Sequence, residues 1–442
     1  MDRIAPGVKS AKMAAFEERL NTAAGKHLEG AIAAAEILYR ELVADFPEKA
    51  QARHYLGFLL QQQGRLAEAA EEMEASLALD EGHAERHFSL AMVHSGLGNP
   101  HLAEKALRRA IELEPNQYFY HTNLGAICEQ SGKPEEAESS YLEAAKISPE
   151  IADAHFLLAE LYLRLGRHAD ARKRNWLGIA ASHGKGFSKM VHAQSLHETG
   201  KEEEACSLLE RWHAEEPDHP VPVHLLCAYR GDPAPERCSR DYVRKTFDSF
   251  AESFDNVLGR LKYSGPALVK AFLEETLPAG KFHILDLGCG TGLTGASLKP
   301  YASLLEGVDL SGKMLQKARE RNLYDRLHRN DLVDFLERDA DSRDIVVSMD
   351  TFIYLGNLEP VIGLVAASLK PGGWFLFSTE SLEEEAPYRL DISGRYRHSP
   401  VFLRKILEEK GFEIPRFEKV VIRLESGSPI HGHFVCARMR EQ

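Results

Sequence analysis

The first half of the chain repeats itself with a period of 34 residues. When it is divided into blocks from Phe16 onward, the fifteenth position of six successive blocks is glycine, the twentieth is alanine and the eighth is glycine or alanine. The glycines are Gly30, Gly64, Gly98, Gly132, Gly166 and Gly200. Small residues let two helices approach closely, glycine permits a tight turn between them, and a proline late in most blocks ends the second helix. The period therefore predicts a stack of helical hairpins.

This spacing resembles the tetratricopeptide repeat, and the resemblance covers about residues 16–219. Residues 220–230 are interpreted as a half-repeat that caps the stack, and residues 1–15 as a tail. The resemblance implies a concave surface that binds a protein or peptide partner. Side chains expected on that surface include His54, Phe58, Phe88, Met92, Phe119 and Phe156. The alternative is that these side chains only pack against neighbouring helices.

Composition excludes several classes of protein. The net charge of -13 opposes non-specific binding to nucleic acid or to an anionic membrane. No apolar run reaches the roughly 18 residues of a membrane span, and the amino terminus lacks a signal pattern, so we expect a cytoplasmic protein. The six cysteines show no metal-ligand spacing, and no metal is expected. The oligomeric state stays open.

A segment rich in proline, glycine and charge, Arg230–Arg240, interrupts the helical period. We place a linker at residues 231–245. Beyond it, short β-rich runs alternate with helical segments, the pattern of a mainly parallel sheet. The expected fold is therefore an all-α repeat solenoid over residues 16–230, followed by an α/β Rossmann-like domain over residues 246–442.

A glycine-rich turn follows the first buried strand of that domain. The strand run is 282–287, and Gly288-Cys289-Gly290-Thr291-Gly292 comes directly after it. A dinucleotide fingerprint needs glycine five residues after the first, where the chain has Leu293, and the Gly-Lys-Ser/Thr of a phosphate loop is absent. The run from Asp286 to Gly292 instead resembles motif I of the class I methyltransferases.

Four further segments follow in the order of that family. The resemblance implies S-adenosylmethionine as methyl donor and S-adenosylhomocysteine as product. It places Asp309 on the ribose, Met314 against the adenine, Asp331 at the adenine amine and Asp350 beside the methyl-transfer site, before a turn at 369–373 and a fifth strand. Asp331 and Asp350 equally fit helix N-caps. The implied cofactor-binding set is Asp286, Gly288, Cys289, Gly290, Gly292, Asp309, Leu310, Met314, Asp331, Leu332 and Asp350.

The stretch Thr246–Asn256 resembles the helical lid of methyltransferases of the ubiquinone and biotin pathways. Together with the repeats, four segments resemble predicted bacterial methyltransferases that carry tetratricopeptide repeats. These segments read FDSFAESFD, MDTFIYLGNL, GRYRHS and VVIRLESGSPIHGHFVCAR. The resemblance covers essentially the whole chain and does not supply a substrate.

An oxygen or nitrogen acceptor often needs a proton acceptor within hydrogen-bond reach. Catalytic candidates are His398, Tyr263 and Tyr354. The ordinary pKa of histidine favours His398 as a base, although it fits equally well as a cap for a helix from Pro400. Predicted substrate-binding residues are Arg395, Tyr396 and Phe254, with Arg395 able to pair a substrate carboxylate.

Three functions remain open on these grounds. The first is an enzyme that methylates a small anionic or polar metabolite, with the array serving contacts or assembly. The second is a protein or peptide methyltransferase whose array recruits the substrate. The third is a scaffold that binds cofactor without turnover, which the complete set of cofactor-directed residues disfavours. Deleting residues 1–230 is expected to spare cofactor binding.

Overall fold

The computed structural model describes residues 6–231, 235–278, 280–339, 341–425 and 427–441, with side chains from residue 12 onward. The chain separates into two compact units, Met1–Arg167 and His168–Gln442. The division falls inside the fifth repeat rather than at the predicted linker, 231–245. In that repeat, Asn175 and Gly178 occupy positions where a tetratricopeptide repeat usually has a bulky or a small apolar residue. Residues 232–234 of the predicted linker lie outside the described residues.

The first unit consists of helices joined in antiparallel pairs. They are α1 (Pro6–Leu28), α2 (Ile32–Asp45), α3 (Ala50–Gln62), α4 (Leu66–Leu79), α5 (Ala84–Gly96), α6 (Pro100–Leu113), α7 (Tyr118–Gln130), α8 (Pro134–Ile147) and α9 (Ala152–Arg164). The first helix thus begins within the predicted tail, whose residues 1–5 lie outside the described part of the chain. Among the described residues, no helix combines the length and the apolar character needed to cross a bilayer.

The repeat glycines adopt the backbone conformation that the sequence period requires. All six have φ between 70° and 79°, which a side chain at these turns would strain. The small residue at the eighth position allows close helix contact: a Cβ on Gly57 would lie 2.7 Å from Cγ of Met73 on the paired helix. The prediction of a repeat solenoid is confirmed.

The second unit begins with four helices that complete the repeat pattern. These are α10 (His168–Ala181), α11 (Lys189–Glu198), α12 (Glu202–Glu215) and α13 (Pro220–Arg230). The last of them coincides with the predicted half-repeat at 220–230.

Three helices, α14 (Arg240–Phe250), α15 (Phe254–Arg260) and α16 (Gly265–Thr276), then lead into an α/β domain. Its elements are β1 (Phe282–Leu287), α17 (Gly295–Leu298), β2 (Ala302–Asp309), α18 (Gly312–Glu320), β3 (Arg326–Arg329), α19 (Leu332–Arg338), β4 (Arg343–Ser348), α20 (Glu359–Ser368), β5 (Leu369–Ser381), β6 (Tyr388–Leu390), β7 (Tyr396–His398), α21 (Pro400–Glu409), β8 (Phe412–Glu425) and β9 (Ser428–Met439). Helix α14 covers the last six residues, 240–245, of the region that the sequence assigned to a linker.

The described strands form one sheet in the order β3-β2-β1-β4-β5-β7-β6, with β9 antiparallel to β5 and β8 beside β9. The pairs β1–β2, β1–β4, β2–β3 and β4–β5 are parallel. Apolar clusters fill both faces of the sheet. One is built around Phe272 of α16, and the other around Phe375 and the buried sides of α20 and α21. This arrangement confirms the α/β Rossmann-like prediction, and it brings the carboxyl ends of β1, β2, β3 and β4 to one edge.

Helix α13 shares an apolar core with the α/β domain. Leu225 and Tyr229 of this helix belong to one buried cluster with Tyr242 of α14, Leu390 of β6 and Tyr396 of β7. The boundary at residue 230 therefore cuts through a hydrophobic core. A deletion of residues 1–230 would expose that core.

Candidate active site

A cavity of about 330 Å³ opens at the carboxyl edge of the parallel strands. Its walls come from the glycine loop after β1, the ends of β2, β3 and β4, helices α14 and α15, the turn between β6 and β7, and strand β8. A ligand site at this edge is the general rule for parallel α/β sheets. The cavity has a donor end, at the glycine loop, and an acceptor end, at the β6–β7 turn and strand β8.

The glycine loop at the donor end has residues with positive φ, and part of its backbone is open to the cavity. Gly288 has φ 74° and Gly290 has φ 55°. The nearest atom to a Cβ added on Gly290 is Cε1 of Phe254, 3.9 Å away, so this stretch of backbone faces open space. Gly288, Cys289 and Gly290 line the cavity as predicted. Burial raises the pKa of the Cys289 thiol, which disfavours the thiolate form that a nucleophilic cysteine needs.

Asp309 lies at the end of β2 and faces the glycine loop. One carboxylate oxygen accepts the N–H of Gly290 at 2.9 Å and the other accepts the N–H of Ser311 at 2.8 Å. Burial raises the pKa of Asp309 to about 6. Because each oxygen has a further lone pair, the carboxylate can also receive two hydroxyl groups from a diol. Leu310 lines the cavity beside it.

Three residues predicted to bind the cofactor lie outside the lining of the cavity. Met314 is fully buried. Asp286 accepts a hydrogen bond from the Tyr324 hydroxyl at 2.6 Å, and burial raises its pKa to about 7. A Cβ on Gly292 would lie 2.9 Å from the ring of Tyr324. Asp286 and Gly292 therefore stabilise the glycine loop from the side away from the cavity. The structure gives no evidence that Asp286, Gly292 or Met314 contacts a ligand directly.

Asp331 lines the cavity with Leu332, but its carboxylate is already engaged. It accepts the N–H of Val333 at 3.1 Å as the N-cap of α19, and it forms an ion pair with Arg237. The N-cap alternative is thus the observed arrangement, and the predicted bond to an adenine amine lacks a free carboxylate. Arg237, which the sequence did not single out, is the polar group presented there.

The lid helices α14 and α15 are fastened across the glycine loop by two aspartates. Asp255 accepts the Thr291 hydroxyl at 2.6 Å and forms an ion pair with Arg321. Asp248 accepts the Ser311 hydroxyl at 2.6 Å. The predicted substrate residue Phe254 lines the cavity with Phe247 and Phe250, and these rings make edge-to-face contacts with one another. The lid therefore gives the cavity an aromatic wall.

The acceptor end contains a network of ion pairs. Arg423 donates to Asp350 at 2.8 Å and to Glu425 at 2.9 Å, and it also pairs with Glu380. Arg395 donates to Glu380 at 2.8 Å and to Glu425 at 2.6 Å. Three carboxylates thus face two guanidinium groups. Although burial acts in the opposite direction, the two arginines hold the pKa of Glu425 below its usual range.

Asp350 occupies a strained position after β4. Its φ is 55°, which is uncommon for a residue with a side chain. Its N–H donates to Ser378 Oγ at 2.8 Å, and its carboxylate binds Arg423. Burial raises the pKa of Asp350 above its ordinary value, although the arginine opposes the shift. The N-cap alternative does not apply, because the short 3-10 helix that follows, Phe352–Tyr354, has Thr351 at its N-cap position.

Tyr263 and Tyr354 both line the acceptor end. Burial raises the pKa of both hydroxyl groups well above the ordinary value, so both stay protonated near neutrality. A phenol that stays protonated donates hydrogen bonds and does not act as a base. The structure therefore supports these tyrosines as hydrogen-bond donors at the acceptor end.

His398 and Tyr396 are not at the cavity. His398 is fully buried, with Nε2 2.8 Å from the Leu355 carbonyl, and burial lowers its pKa to about 4. Tyr396 is fully buried and donates to the Pro235 carbonyl at 2.6 Å. Neither can reach a ligand, so the catalytic role expected for His398 and the substrate role expected for Tyr396 are not supported. Arg395 does line the cavity, but its pairing with two carboxylates opposes its binding a substrate carboxylate.

The sequence analysis missed Arg423, Glu425 and Glu380. A usable signal was present in β8, where Arg423 and Glu425 alternate with Leu424 and so share one face of a strand. Two opposite charges on the same face of a half-buried strand indicate an ion-pair network. Their partners on β4 and β5 are distant in the chain and carry no comparable signal.

One group of side chains in the described part of the chain is spaced to hold a metal ion. It consists of Glu104, Cys128 and Glu136 in the repeat array. Glu104 already pairs with Arg108 at 2.7 Å and with Lys133 at 3.0 Å. These cations neutralise the carboxylate, which argues against a metal at that position.

Comparison with known proteins agrees with this geometry. Residues 285–375 match the family model described as a methyltransferase domain, and residues 27–84, 88–150 and 130–174 match the model described as a tetratricopeptide repeat. The chain contains a methyltransferase domain. The predicted combination of this domain with tetratricopeptide repeats is confirmed.

Relatives of the methyltransferase domain include ubiquinone biosynthesis O-methyltransferases. The protein of Coxiella burnetii (strain Dugway 5J108-111) is 28% identical over 153 residues, which are 33% of this chain and 64% of the relative. The protein of Thiobacillus denitrificans is 28% identical over 189 residues, 37% of this chain and 80% of the relative. The chain thus spans less than two thirds of the first of these relatives. Among solved structures, the magnesium protoporphyrin IX methyltransferase of Synechocystis PCC 6803 with bound SAH aligns over 46% of this chain and all of its own length, at 17% identity and a TM-score of 0.37.

Proposed function

We propose that the chain is an S-adenosylmethionine-dependent methyltransferase that methylates an oxygen of a small, largely apolar acceptor. The carrying observation is a single cavity in which Gly290 and Asp309 face one end, and the lid aromatics and the Arg423 network face the other. The matched methyltransferase domain contains the donor end of this cavity.

The donor end fits S-adenosylmethionine, which supplies a methyl group on a positively charged sulfur. The Asp309 carboxylate would receive the ribose hydroxyls, since each of its oxygens has an unused lone pair beyond the backbone N–H that it accepts. The open backbone at Gly290 would accommodate the amino-acid part of the donor. Leu310 and Leu332 offer apolar contacts for its adenine.

The acceptor end favours a neutral molecule over an anion. Arg395 and Arg423 are both engaged by the carboxylates of Asp350, Glu380 and Glu425, so neither guanidinium group is left to pair with an anionic acceptor. An anionic acceptor would bring a charge without a partner into a buried site, which is costly. Of the two acceptor classes expected from the sequence, anionic or polar, this argues against the anionic one and against a substrate carboxylate bound through Arg395.

A hydroxyl acceptor loses a proton as its oxygen is methylated. Asp350 is the group best suited to receive it, because burial raises its pKa above the ordinary value and one of its oxygens accepts no hydrogen bond from the described residues. Tyr263 and Tyr354 would orient the acceptor by donating hydrogen bonds. The aromatic lid would cover a flat ring, and the relatives that methylate oxygen favour the same atom in this chain.

Two measurements test this proposal. Calorimetry with S-adenosylhomocysteine should show binding to the full-length protein and at least tenfold weaker binding to Asp309→Ala, since charge-assisted hydrogen bonds are lost. Absence of binding to the wild-type chain would refute the donor assignment. Methyl transfer from labelled donor should favour a propyl-substituted catechol over the analogue whose terminal methyl is a carboxylate. A preference for the carboxylate analogue would refute the acceptor assignment.

We further propose that the repeat array binds a protein partner. The support is the exposure of two aromatic side chains three residues apart on one face of α3, Tyr55 at 38% and Phe58 at 40%. His54, expected on the same surface, is buried and does not contribute. If Phe58→Ser loses a partner that the wild-type protein captures, and methylates the catechol equally well, the array serves recruitment rather than chemistry.

A further inference from the structure

The last helix of the repeat array supplies a hydrogen bond to a wall of the cavity. His224 on α13 is buried, and its Nε2 lies 2.9 Å from the carbonyl oxygen of Gly394, in the turn between β6 and β7. Gly394 directly precedes Arg395, which lines the acceptor end. The bond therefore joins two segments that are 170 residues apart in the chain.

Two more residues meet at this point, and the group of His224, Cys238, Tyr242 and Gly394 is called the junction. The ring centroids of His224 and of Tyr242 on α14 lie 4.2 Å apart. Cys238 lines the cavity, and its N–H donates to the carbonyl of Tyr354 at 2.9 Å. The junction thus touches the lid helix, the β6–β7 turn and the Tyr354 segment, which are three walls of the acceptor end.

The geometry of the junction leaves no room for an alternative packing. Gly394 has φ 77°, and a Cβ on it would lie 2.6 Å from the Tyr242 hydroxyl oxygen. Burial lowers the pKa of His224, so the ring is neutral near physiological pH and has a single N–H to donate. The surrounding cluster of Leu225 and Tyr229 excludes water from that bond. Without this bond, the Gly394 carbonyl would keep only the thiol of Cys238, a weak donor 3.8 Å away.

We propose that His224 is a positioning residue for the acceptor end of the cavity. By binding the Gly394 carbonyl it fixes the backbone next to Arg395, and by packing on Tyr242 it fixes the lid helix that carries Phe247. What the cavity binds rests on the proposed function, but the coupling is a property of the fold. The final repeat helix thereby supports a wall of the active site from outside the cavity, in addition to any partner binding by the array.

The test uses the full-length protein with S-adenosylhomocysteine and amide hydrogen exchange read by mass spectrometry. In His224→Phe, which keeps an aromatic ring but removes the donor, exchange at residues 388–398 should accelerate about tenfold, the effect of losing one buried hydrogen bond. In His224→Gln, which restores an N–H at a similar reach, protection should return. Tyr229→Phe is the matched control on the same helix, because it removes a buried hydroxyl that bonds no described residue.

Affinity for S-adenosylhomocysteine should stay within twofold in all three variants, since the glycine loop is not part of the junction. Unchanged exchange at residues 388–398 in His224→Phe would overturn the proposal. So would failure of His224→Gln to restore protection, or a parallel loss of cofactor affinity, because each would indicate general destabilisation. Absence of binding to the wild-type protein would refute the proposed function alone, since the exchange pattern of the apoprotein still reports on the junction.

Discussion

Gly288 and Gly290 share a positive φ but differ in what an added methyl group would meet. A Cβ on Gly288 would overlap the side chain of Thr351, whose own Cβ would be 2.8 Å away, whereas a Cβ on Gly290 has no atom closer than 3.9 Å. Left-handed backbone costs a residue with a side chain about 1–2 kcal/mol, and overpacking adds about 1–3 kcal/mol. We expect Gly288→Ala to lower the free energy of unfolding by about 2–5 kcal/mol and Gly290→Ala by about 1–2 kcal/mol.

The order of effects reverses for ligand binding. Gly290→Ala places a methyl group in the open part of the cavity, so its affinity for S-adenosylhomocysteine should fall about tenfold or more, a change of about 1.4 kcal/mol, in a protein that remains folded. Urea unfolding and calorimetry measure the two quantities. In a double-mutant cycle, Thr351→Ala removes the two atoms that Gly288→Ala strikes first and should recover about 1 kcal/mol. Strict additivity of the two substitutions would refute the steric argument, as would a Gly290→Ala variant with full affinity.

Three other predictions follow from the structure. Burial raises the pKa of Asp309 to about 6, and a diol needs the ionised carboxylate. Affinity for S-adenosylhomocysteine should therefore be full above pH 6 and fall about tenfold per pH unit below it. Calorimetry from pH 8 to pH 5 that shows no decline in affinity would contradict this. Asp255→Ala should release the lid and so speed dissociation of the same ligand several-fold in stopped-flow experiments, with less than about 1 kcal/mol lost from the free energy of unfolding. The control is Glu252→Ala, which removes an exposed ion pair with Lys317 and should change neither the dissociation rate nor the stability. A chain lacking residues 1–167 should unfold cooperatively and bind the ligand, because the second unit is kept whole. A chain lacking residues 1–230 should aggregate in gel filtration or bind the ligand poorly in calorimetry, because the cut exposes the apolar core around α13. Equal behaviour of the two chains would contradict the shared core.

The donor end of the cavity was predictable because its contacts are local. The glycine turn follows its strand directly, and Asp309 ends the next strand, so the order of the segments places them at one edge. The acceptor end was not predictable in the same way. Its central contact joins Arg423 to Asp350 across 73 residues, and a single sequence does not show which distant charges meet.

The errors at Tyr396 and His398 have a simple physical reason. Successive side chains of a strand point to opposite faces, so in β7 these two residues share one face and Arg397 takes the other. Tyr396 and His398 are fully buried, while Arg397 is partly exposed. No secondary structure was predicted for this segment, so its residues could not be assigned to opposite faces. Recognition of a three-residue strand would have separated Arg395 from the two buried rings.

The overlap of the predicted linker with α14 has a related reason. Proline, glycine and charge marked a break in the repeat period, and that break is real at Gly231, which has φ 65°. The charged residues beyond it nevertheless form α14, which turns one side towards the cavity. A change of period therefore located the end of the repeats but not the end of the packed core, because packing depends on which faces are apolar.

The ion pairs around Arg423 have a consequence for how the acceptor end responds to moving charge. Each carboxylate and guanidinium there is held by at least one oppositely charged partner, so these dipoles have little freedom to rotate. Water around a reacting group must reorient as charge shifts, and that reorganisation raises the barrier. A wall of fixed dipoles presents an electric field that was established when the chain folded. Any acceptor that enters, whatever its shape, experiences the same field, so changes to the lid aromatics should alter which molecules fit without altering the electrostatic preference among them.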